Sequence, residues 1–204
     1  MDMSIRARIR DGDTEAFEQL FDEFARSVYG HAFRLTGNWS TAEDVTSLTF
    51  LEAWRLRHRI DANDGSLRPW LLGIATNVAR NTRRAARRYD DALTRMPRSE
   101  EVPDLADEVV GRIDDAERLA AIRRVYGRLR RQEQEVFALV VGAGLGYAEA
   151  AEALGISVGT VRSRLSRARR KLEKFAAGRE PPWPSRQVRG DRDTAVRFTR
   201  EEYR

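Results

Sequence analysis

Hydrophobic residues in the first part of the chain recur every three or four positions, which is the spacing of amphipathic helices that bury one face. Asn38, with Ser40 or Thr41, offers caps for a second helix, and Pro69 suits the first turn of a third. The apolar positions of these helices are Phe17, Leu20, Phe21, Phe24, Val28 and Phe33, then Val45, Leu48, Leu51 and Trp54, then Trp70, Leu71, Ile74, Ala75 and Val78. No alternating strand pattern competes, so a helical unit is predicted.

The second half has the spacing of a helix-turn-helix. Two helices are indicated by Leu119, Ile122, Val125 and Leu129 and by Val136, Phe137, Val140 and Val141. A short helix over 147–154 then ends at Gly155, which can adopt the left-handed conformation of a helix C-terminus. Ser157 can cap the helix that follows. Two helices joined by so short a turn are typical of DNA-binding units.

The last helix has an apolar side and a polar side. At 100° per residue, one stripe about 60° wide contains Val161, Leu165, Ala168 and Leu172. On average about 160° away from its centre lie Arg162, Ser163, Ser166 and Arg167. Such a helix can sit in the major groove, where Arg pairs with guanine and Ser reaches bases or phosphates. A solvated helix face is the alternative, but the turn, the caps and the stripe together favour DNA binding.

Composition excludes several classes of protein. The 204 residues carry a net charge of +5 and include two histidines and no cysteine. Disulfides, thiol nucleophiles and Cys-ligated metals are therefore excluded, and with His31 and His58 alone we expect no metal centre and no cofactor. No stretch approaches the ~20 apolar residues of a membrane helix, and the N-terminus lacks the apolar segment of a signal peptide. We therefore expect a cytoplasmic protein with no membrane partner.

Basic charge is concentrated in two places. Residues 76–89 contain five arginines and no acid, and residues 157–174 contain seven basic residues and one acid. Between them, residues 90–117 carry a net charge of −7 and include two prolines, which is typical of a linker. The arginine row by itself fits either an ordinary surface or a nucleic-acid contact.

These patterns predict an all-α fold of two small helical domains joined by an acidic flexible linker. The first domain is placed at 7–89, the linker at 90–116, the second domain at 117–175 and a mobile C-terminal tail at 176–204.

Other conspicuous side chains have structural interpretations. The aromatic residues Phe17, Phe21, Phe24 and Trp54 are assigned mainly to the core. His31 and His58 are expected to be structural or solvated, because neither has a partner constellation. The acids Glu43 and Asp44 suit a helix N-terminus and a protein contact better than acid–base catalysis.

Both halves together resemble the sigma factors of bacterial RNA polymerase, specifically the small two-domain extracytoplasmic-function (ECF) group of the sigma-70 family. The resemblance covers residues 7–174. It rests on ARIRDGDTEAFEQLFDEF, AEDVTSLTFLEAW and LRPWLLGIATNVARNTRRAARR in the first half and on LRRQEQEVFALVVGAGLGYAEAAEALGISVGTVRSRLSRARRKL in the second. A helix-turn-helix occurs in many regulators, whereas both blocks in this order, with an acidic linker between them, indicate this family.

The resemblance implies a transcription initiation factor, not an enzyme, that binds core RNA polymerase through the largest-subunit clamp helices and the flap. It implies polymerase binding by Asp44, Thr49, Phe50 and Trp54 in the helix over 43–54. At the minus-ten element, a loop over 59–66 holds a flipped base through Asp61, Asn63 and Ser66, and the strand junction is lined by Asn77, Arg80, Arg83, Arg84 and Arg87. At the minus-thirty-five element, the major groove is read by Arg162, Ser163, Ser166 and Arg167, with Thr160 and Arg164 nearer phosphate. Members of the family commonly have an anti-sigma factor as a further partner.

Three places depart from the family pattern. Ser47 and Leu48 stand where many relatives have Gln-Glu, which alters the polymerase contact in detail. Asn81 stands where an Asp is common, which makes that stretch more basic. Gly146 replaces a Ser or Thr and is a weaker cap.

Two rival functions belong to other classes. A dimeric repressor would use the same helix-turn-helix, but it needs a palindromic site and a dimer surface. An enzyme acting on nucleic acid needs metal-binding carboxylates or a nucleophile beside a base, and the sequence offers no such constellation. The acidic linker is interpreted as a solubilising spacer, with mimicry of nucleic acid inside the polymerase RNA channel as the alternative.

Overall fold

The computed structural model describes residues 4–60, 65–93 and 126–176. The first unit contains α1 (Ile5–Arg10), α2 (Thr14–Thr36), α3 (Trp39–Arg55), a 3-10 turn (Arg57–Arg59) and α4 (Arg68–Leu93). The second unit contains α5 (Arg131–Phe137), a π-helical turn (Ala138–Gly142), α6 (Tyr147–Leu154) and α7 (Val158–Ala176). These described residues form no strand, so the predicted all-α class is confirmed.

The helix boundaries arise from short-range signals in the sequence. The Asn38 side chain accepts a hydrogen bond from the Thr41 N–H at 2.8 Å and caps α3, as predicted. Gly155 ends α6 with φ of 62°, in the left-handed region that was expected there. Helix α4 begins at Arg68, with Pro69 in its first turn, and continues to Leu93, beyond the predicted domain boundary at residue 89.

The first unit is a three-helix core of α2, α3 and α4. Leu20, Val28 and Leu71 are among its buried side chains. Phe21 departs from its assignment to the core: its side chain is 43% exposed, although its ring lies 4.7 Å from that of Phe50. It sits at the rim because Phe50 fills the space between α2 and α3.

His31 is structural. It is fully buried, and its Nε2 lies 2.8 Å from Thr76 Oγ1, which itself donates to the Leu72 carbonyl at 2.8 Å. Because the threonine proton is already used, His31 Nε2–H is the donor to Thr76. Burial, with smaller contributions from Arg34 and Arg68, lowers the pKa of His31 to about 3, so the ring is neutral.

In the second unit, the helix-turn-helix consists of α6 and α7 and packs against α5. Val161, Leu165 and Ala168 are buried along α7, which confirms the apolar stripe expected there. Glu133 of α5 accepts hydrogen bonds from the Arg130 N–H at 2.8 Å and from Lys171 Nζ of α7 at 2.6 Å. Burial alone would raise the pKa of Glu133, but these two donors lower it below its ordinary value.

The two units pack against each other through α4 and α6. A Cβ added at Gly73 of α4 would lie 2.6 Å from the carbonyl oxygen of Ala153 in α6, so the backbones can approach this closely only at a glycine. A single cluster of buried residues includes Leu72 from the first unit and Val136 and Leu139 from the second. The sequence analysis predicted two domains joined by a linker and made no prediction about contacts between them, whereas the structure brings them into one body.

Candidate nucleic-acid interface

The polar side of α7 is exposed. Arg162, Ser163, Ser166 and Arg167 all face solvent, and Thr160 and Arg164 are half-buried at the edges of this surface. The buried stripe behind it leaves the side chains of one helix face free to contact a ligand. This is the arrangement that a recognition helix needs to enter a major groove.

Hydrogen bonds along α7 orient its first turns. Ser157 Oγ accepts from the Thr160 N–H at 3.2 Å, which confirms its predicted role as a cap. Ser163 Oγ donates to the Thr160 carbonyl at 3.0 Å, and Arg167 Nε donates to the Ser163 carbonyl at 3.2 Å. The side chain of Arg167 is thereby held along the helix, and the residue is exposed.

Arg162 is positioned by an aromatic ring. Its guanidinium carbon lies 5.9 Å from the centroid of the Tyr147 ring at the start of α6, near the outer limit of a cation–π contact. Tyr147 is absent from the residues chosen from the sequence. No sequence pattern marks Tyr147 as a neighbour of Arg162, because the two residues meet only after the turn has folded α6 back across the start of α7.

A second basic surface lies on α4, and we call it the arginine face. At 100° per residue, an arc of about 100° contains Arg80, Arg83, Arg84 and Arg87. Arg84 and Arg87 are exposed, whereas Arg80 and Arg83 are half-buried against the second unit. The helix therefore brings together four of the residues that were assigned to minus-ten DNA.

Arg80 forms a bidentate ion pair with Glu135 of α5. Arg80 Nε and Nη2 lie 2.7 and 2.6 Å from the two carboxylate oxygens, and Arg80 Nη1 donates to Asn77 Oδ1 at 3.0 Å. The Glu135 side chain is 3% exposed, and the Arg80 side chain is 28% exposed. The hydrogen bond to Glu135 raises the pKa of Arg80 above its ordinary value. Glu135 was not singled out from the sequence, where it is one acid among many.

Arg83 faces the neighbouring position of α5. Its Nη1 lies 3.4 Å from Gln134 Oε1, and the amide nitrogen of Gln134 donates to the carbonyls of Tyr126 and Leu129. Burial, followed by repulsion from Arg131 and Arg87, lowers the pKa of Arg83 below its ordinary value. The α5 surface thus receives two adjacent arginines of α4 with side chains that accept hydrogen bonds.

The predicted base-holding loop is only partly described. Ser66 is exposed, and its Oγ accepts a hydrogen bond from the Arg68 N–H at 3.1 Å at the start of α4. Asp61 and Asn63 lie outside the described residues, as do most of the predicted linker and the tail after Ala176.

Helix α3 presents a different surface from the one expected for polymerase binding. Thr49 and Phe50 are buried, and Thr49 Oγ1 donates to the Val45 carbonyl at 2.6 Å, so both side chains belong to the core. Trp54 is half-buried, and the Arg57 guanidinium lies over its ring at 4.4 Å. Of the four residues chosen from the sequence, Asp44 is the one that is exposed.

The exposed face of α3 is apolar at its centre. Leu48 is 47% exposed and Leu51 is 62% exposed. Beside Leu48 runs a shallow groove between α3 and α4, lined in part by Leu56, Ile74 and Val78. Exposed leucines beside an apolar groove are characteristic of a protein–protein contact. No described helix is both long and apolar enough to cross a bilayer.

Comparisons with known proteins agree with this geometry. Residues 20–89 match the family model described as sigma-70 region 2, and residues 119–172 match that described as sigma-70 region 4. The chain is 33% identical to the RNA polymerase sigma factor NccH of Alcaligenes xylosoxydans xylosoxydans, over 84% of this chain and 92% of NccH. It is 32% identical to the ECF RNA polymerase sigma factor SigL of Mycobacterium tuberculosis, over 75% of this chain and 84% of SigL.

A solved structure extends the similarity to three dimensions. CnrH, in complex with the cytosolic domain of CnrY, superposes with a TM-score of 0.64 at 26% sequence identity. The match covers 85% of this chain and 96% of that one.

Proposed function

Because the chain belongs to the ECF group of the sigma-70 family of RNA polymerase sigma factors, we propose that it is a dissociable initiation subunit. It binds core RNA polymerase and directs it to promoters by reading the minus-ten and minus-thirty-five elements. The observation that carries this proposal is the pair of basic surfaces, one on each unit, within the two matched regions.

The second unit reads double-stranded DNA. Arg162 and Arg167 lie within the first three turns of α7, the part of a recognition helix that contacts base edges. Arg pairs with guanine through two hydrogen bonds, and Ser163 and Ser166 are short enough to reach a base or a phosphate. Thr160 and Arg164, at the edges of this surface, fix the helix on the DNA backbone.

The first unit holds melted DNA. The arginine face supplies cations that bind the phosphates of the displaced strand, and Ser66 lies at the base of the loop that receives an unstacked base with Asp61 and Asn63. Flipping a base costs a few kcal/mol, which contacts of this kind offset. Binding energy therefore drives melting, and the chain requires no cofactor and no catalytic chemistry of its own.

The α3 surface binds polymerase. Its exposed residues include the acidic Asp44 and the apolar Leu48 and Leu51, and Thr49, Phe50 and Trp54 support it from behind. Since Leu48 stands where many relatives have a glutamate, this contact is more apolar than the family pattern. Core polymerase acts in the cytoplasm, where we place this chain, and an anti-sigma factor is a further partner.

Stoichiometry with core RNA polymerase tests the assignment against a dimeric repressor. Native mass spectrometry of the full chain mixed with core polymerase is expected to show one copy per polymerase and a monomeric free chain. A chain that dimerises, protects a palindromic DNA and leaves polymerase unbound would contradict the proposal and support a repressor.

A further inference from the structure

The ion pair between Arg80 and Glu135 joins a DNA-facing residue of the first unit to a carboxylate of the second. Both Glu135 oxygens engage the Arg80 guanidinium, at 2.7 and 2.6 Å. A guanidinium binds phosphate with the same pair of parallel hydrogen bonds. Glu135 therefore occupies the edge of Arg80 that a DNA phosphate needs, and the two ligands exclude each other.

The contact is built into the packing of both units. Gly73 lies on α4 two turns before Arg80, and its missing side chain lets Ala153 of α6 approach within van der Waals distance. Glu135 is almost completely buried, and a buried carboxylate requires a partner because its desolvation is costly. Close approach at Gly73 and pairing at Arg80 thus hold the same pair of surfaces together.

The closed body is too small to read both promoter elements at once. A compact body of about 140 residues has a radius of gyration of about 14 Å and is about 40 Å across. Elements centred about 25 base pairs apart on duplex DNA are separated by about 85 Å, at about 3.4 Å per base pair. Residues 93 and 126 are separated by 33 positions. At about 3.3 Å per residue, any chain of that length spans at most about 110 Å, which is enough for separated units to reach both elements.

We propose that Glu135 is an intramolecular phosphate mimic that docks α5 on the arginine face, so that the free chain is closed and this face is kept from binding DNA. This inference rests on the proposed function, because it assigns a competitor to the DNA site on α4. DNA and Glu135 compete for Arg80, so binding of DNA favours the open form, and the apparent affinity for DNA is the intrinsic affinity multiplied by the fraction of open molecules.

The test uses two substitutions that leave the assigned DNA-contacting residues intact. Glu135→Gln removes the charge that pairs with Arg80, and Gly73→Val places a branched side chain against the Ala153 backbone. We expect each to raise the affinity of the free full-length chain for a fluorescein-labelled fork-junction DNA of random sequence by about tenfold.

The opening itself is measured by fluorescence energy transfer. The chain contains no cysteine, so dyes attached at Glu18→Cys and Glu173→Cys report only the distance between the two units. We expect the transfer efficiency to fall in Glu135→Gln and in Gly73→Val.

Two matched controls separate opening from general effects of substitution. Glu133→Gln alters an equally buried, ion-paired glutamate whose partner, Lys171, lies in the same unit. Gly30→Ala adds a Cβ to a glycine of α2 whose nearest neighbour is 3.5 Å away. Neither control is expected to change energy transfer or DNA affinity.

The outcomes separate this inference from the proposed function. If Glu135→Gln folds normally, as judged by circular dichroism, but leaves energy transfer and DNA affinity unchanged, the phosphate mimic is refuted, whether or not Gly73→Val folds. Opening without a gain in DNA affinity refutes the competition as well. Run-off transcription with core polymerase is measured in parallel: its absence for every form would refute the proposed function while leaving the contact between the units established.

Discussion

His31 couples the stability of the first unit to pH. Its neutral ring donates to Thr76 in the core, and burial lowers its pKa to about 3. An unfolded chain has the ordinary histidine pKa of about 6.5, so between these two values the unfolded state binds a proton that the folded state does not. The free energy of unfolding therefore falls as the pH falls through this window.

We predict that the His31 contribution to stability decreases by about 1.4 kcal/mol for each pH unit below about 6.5. From pH 7.5 to pH 5.0 this amounts to about 2 kcal/mol. Urea unfolding of the wild-type chain and of His31→Gln at both pH values measures it, because glutamine can donate to Thr76 without titrating. An equal pH dependence in the two proteins would show that His31 is protonated in the folded state.

Arg162 and Arg167 are predicted to read bases. Removing a guanidinium that makes a bidentate base contact costs about 1 to 3 kcal/mol on the preferred site and reduces discrimination at one base pair. We expect this loss for Arg162→Ala and Arg167→Ala, measured as transcription from promoters with substituted minus-thirty-five elements.

Arg170 supplies the comparison for that experiment. It is exposed on α7 one turn beyond Arg167, farther from the helix N-terminus that enters the groove. Arg170→Ala is expected to lower transcription by the same factor on all sequences, as loss of a phosphate contact does. A uniform loss in Arg162→Ala or Arg167→Ala would instead place those residues on the DNA backbone.

At the level of helices, the sequence was most informative where the signals are local. The caps at Asn38 and Ser157 and the turn at Gly155 depend on residues within a few positions, and all three occur as predicted. Helix α3 was predicted correctly as an element, but the sequence did not show that Thr49 and Phe50 are buried in the core. A family motif identifies which positions matter, whereas burial depends on neighbouring helices, and Phe50 packs against α2.

We predict that the exposed apolar face of α3 carries the polymerase contact. Replacing Leu48 and Leu51 together with Ala removes side chains that a partner would bury, and each loss costs about 1 kcal/mol. Binding to core polymerase, measured by fluorescence anisotropy, is expected to weaken about 30-fold.

Gln19, which is exposed on α2, provides the control for that change. Gln19→Ala is expected to bind polymerase as the wild-type chain does. Unchanged binding by the double leucine variant would move the contact away from this face of α3.

At the scale of the whole molecule, the sequence could predict two helical units and two basic surfaces, but no contact between them. Arg80 and Glu135 are 55 positions apart, and no local pattern marks Glu135 as the partner among the many acids of the chain. The sequence likewise did not mark Gly73 as a contact point. A glycine within a helix indicates close packing only once the structure shows which backbone lies against it, here that of Ala153. Long-range contacts of this kind decide whether the arginine face is open to a ligand or partly covered by the second unit.

Run-off transcription from a mixed promoter library, with core RNA polymerase in the presence and absence of the chain, tests the assignment as an initiation factor most directly. Sequencing the DNA upstream of each new transcript is expected to reveal two motifs at a fixed separation, found only when the chain is present. Transcripts that do not change when the chain is added, together with protection of a palindromic site by the chain alone, would contradict the assignment.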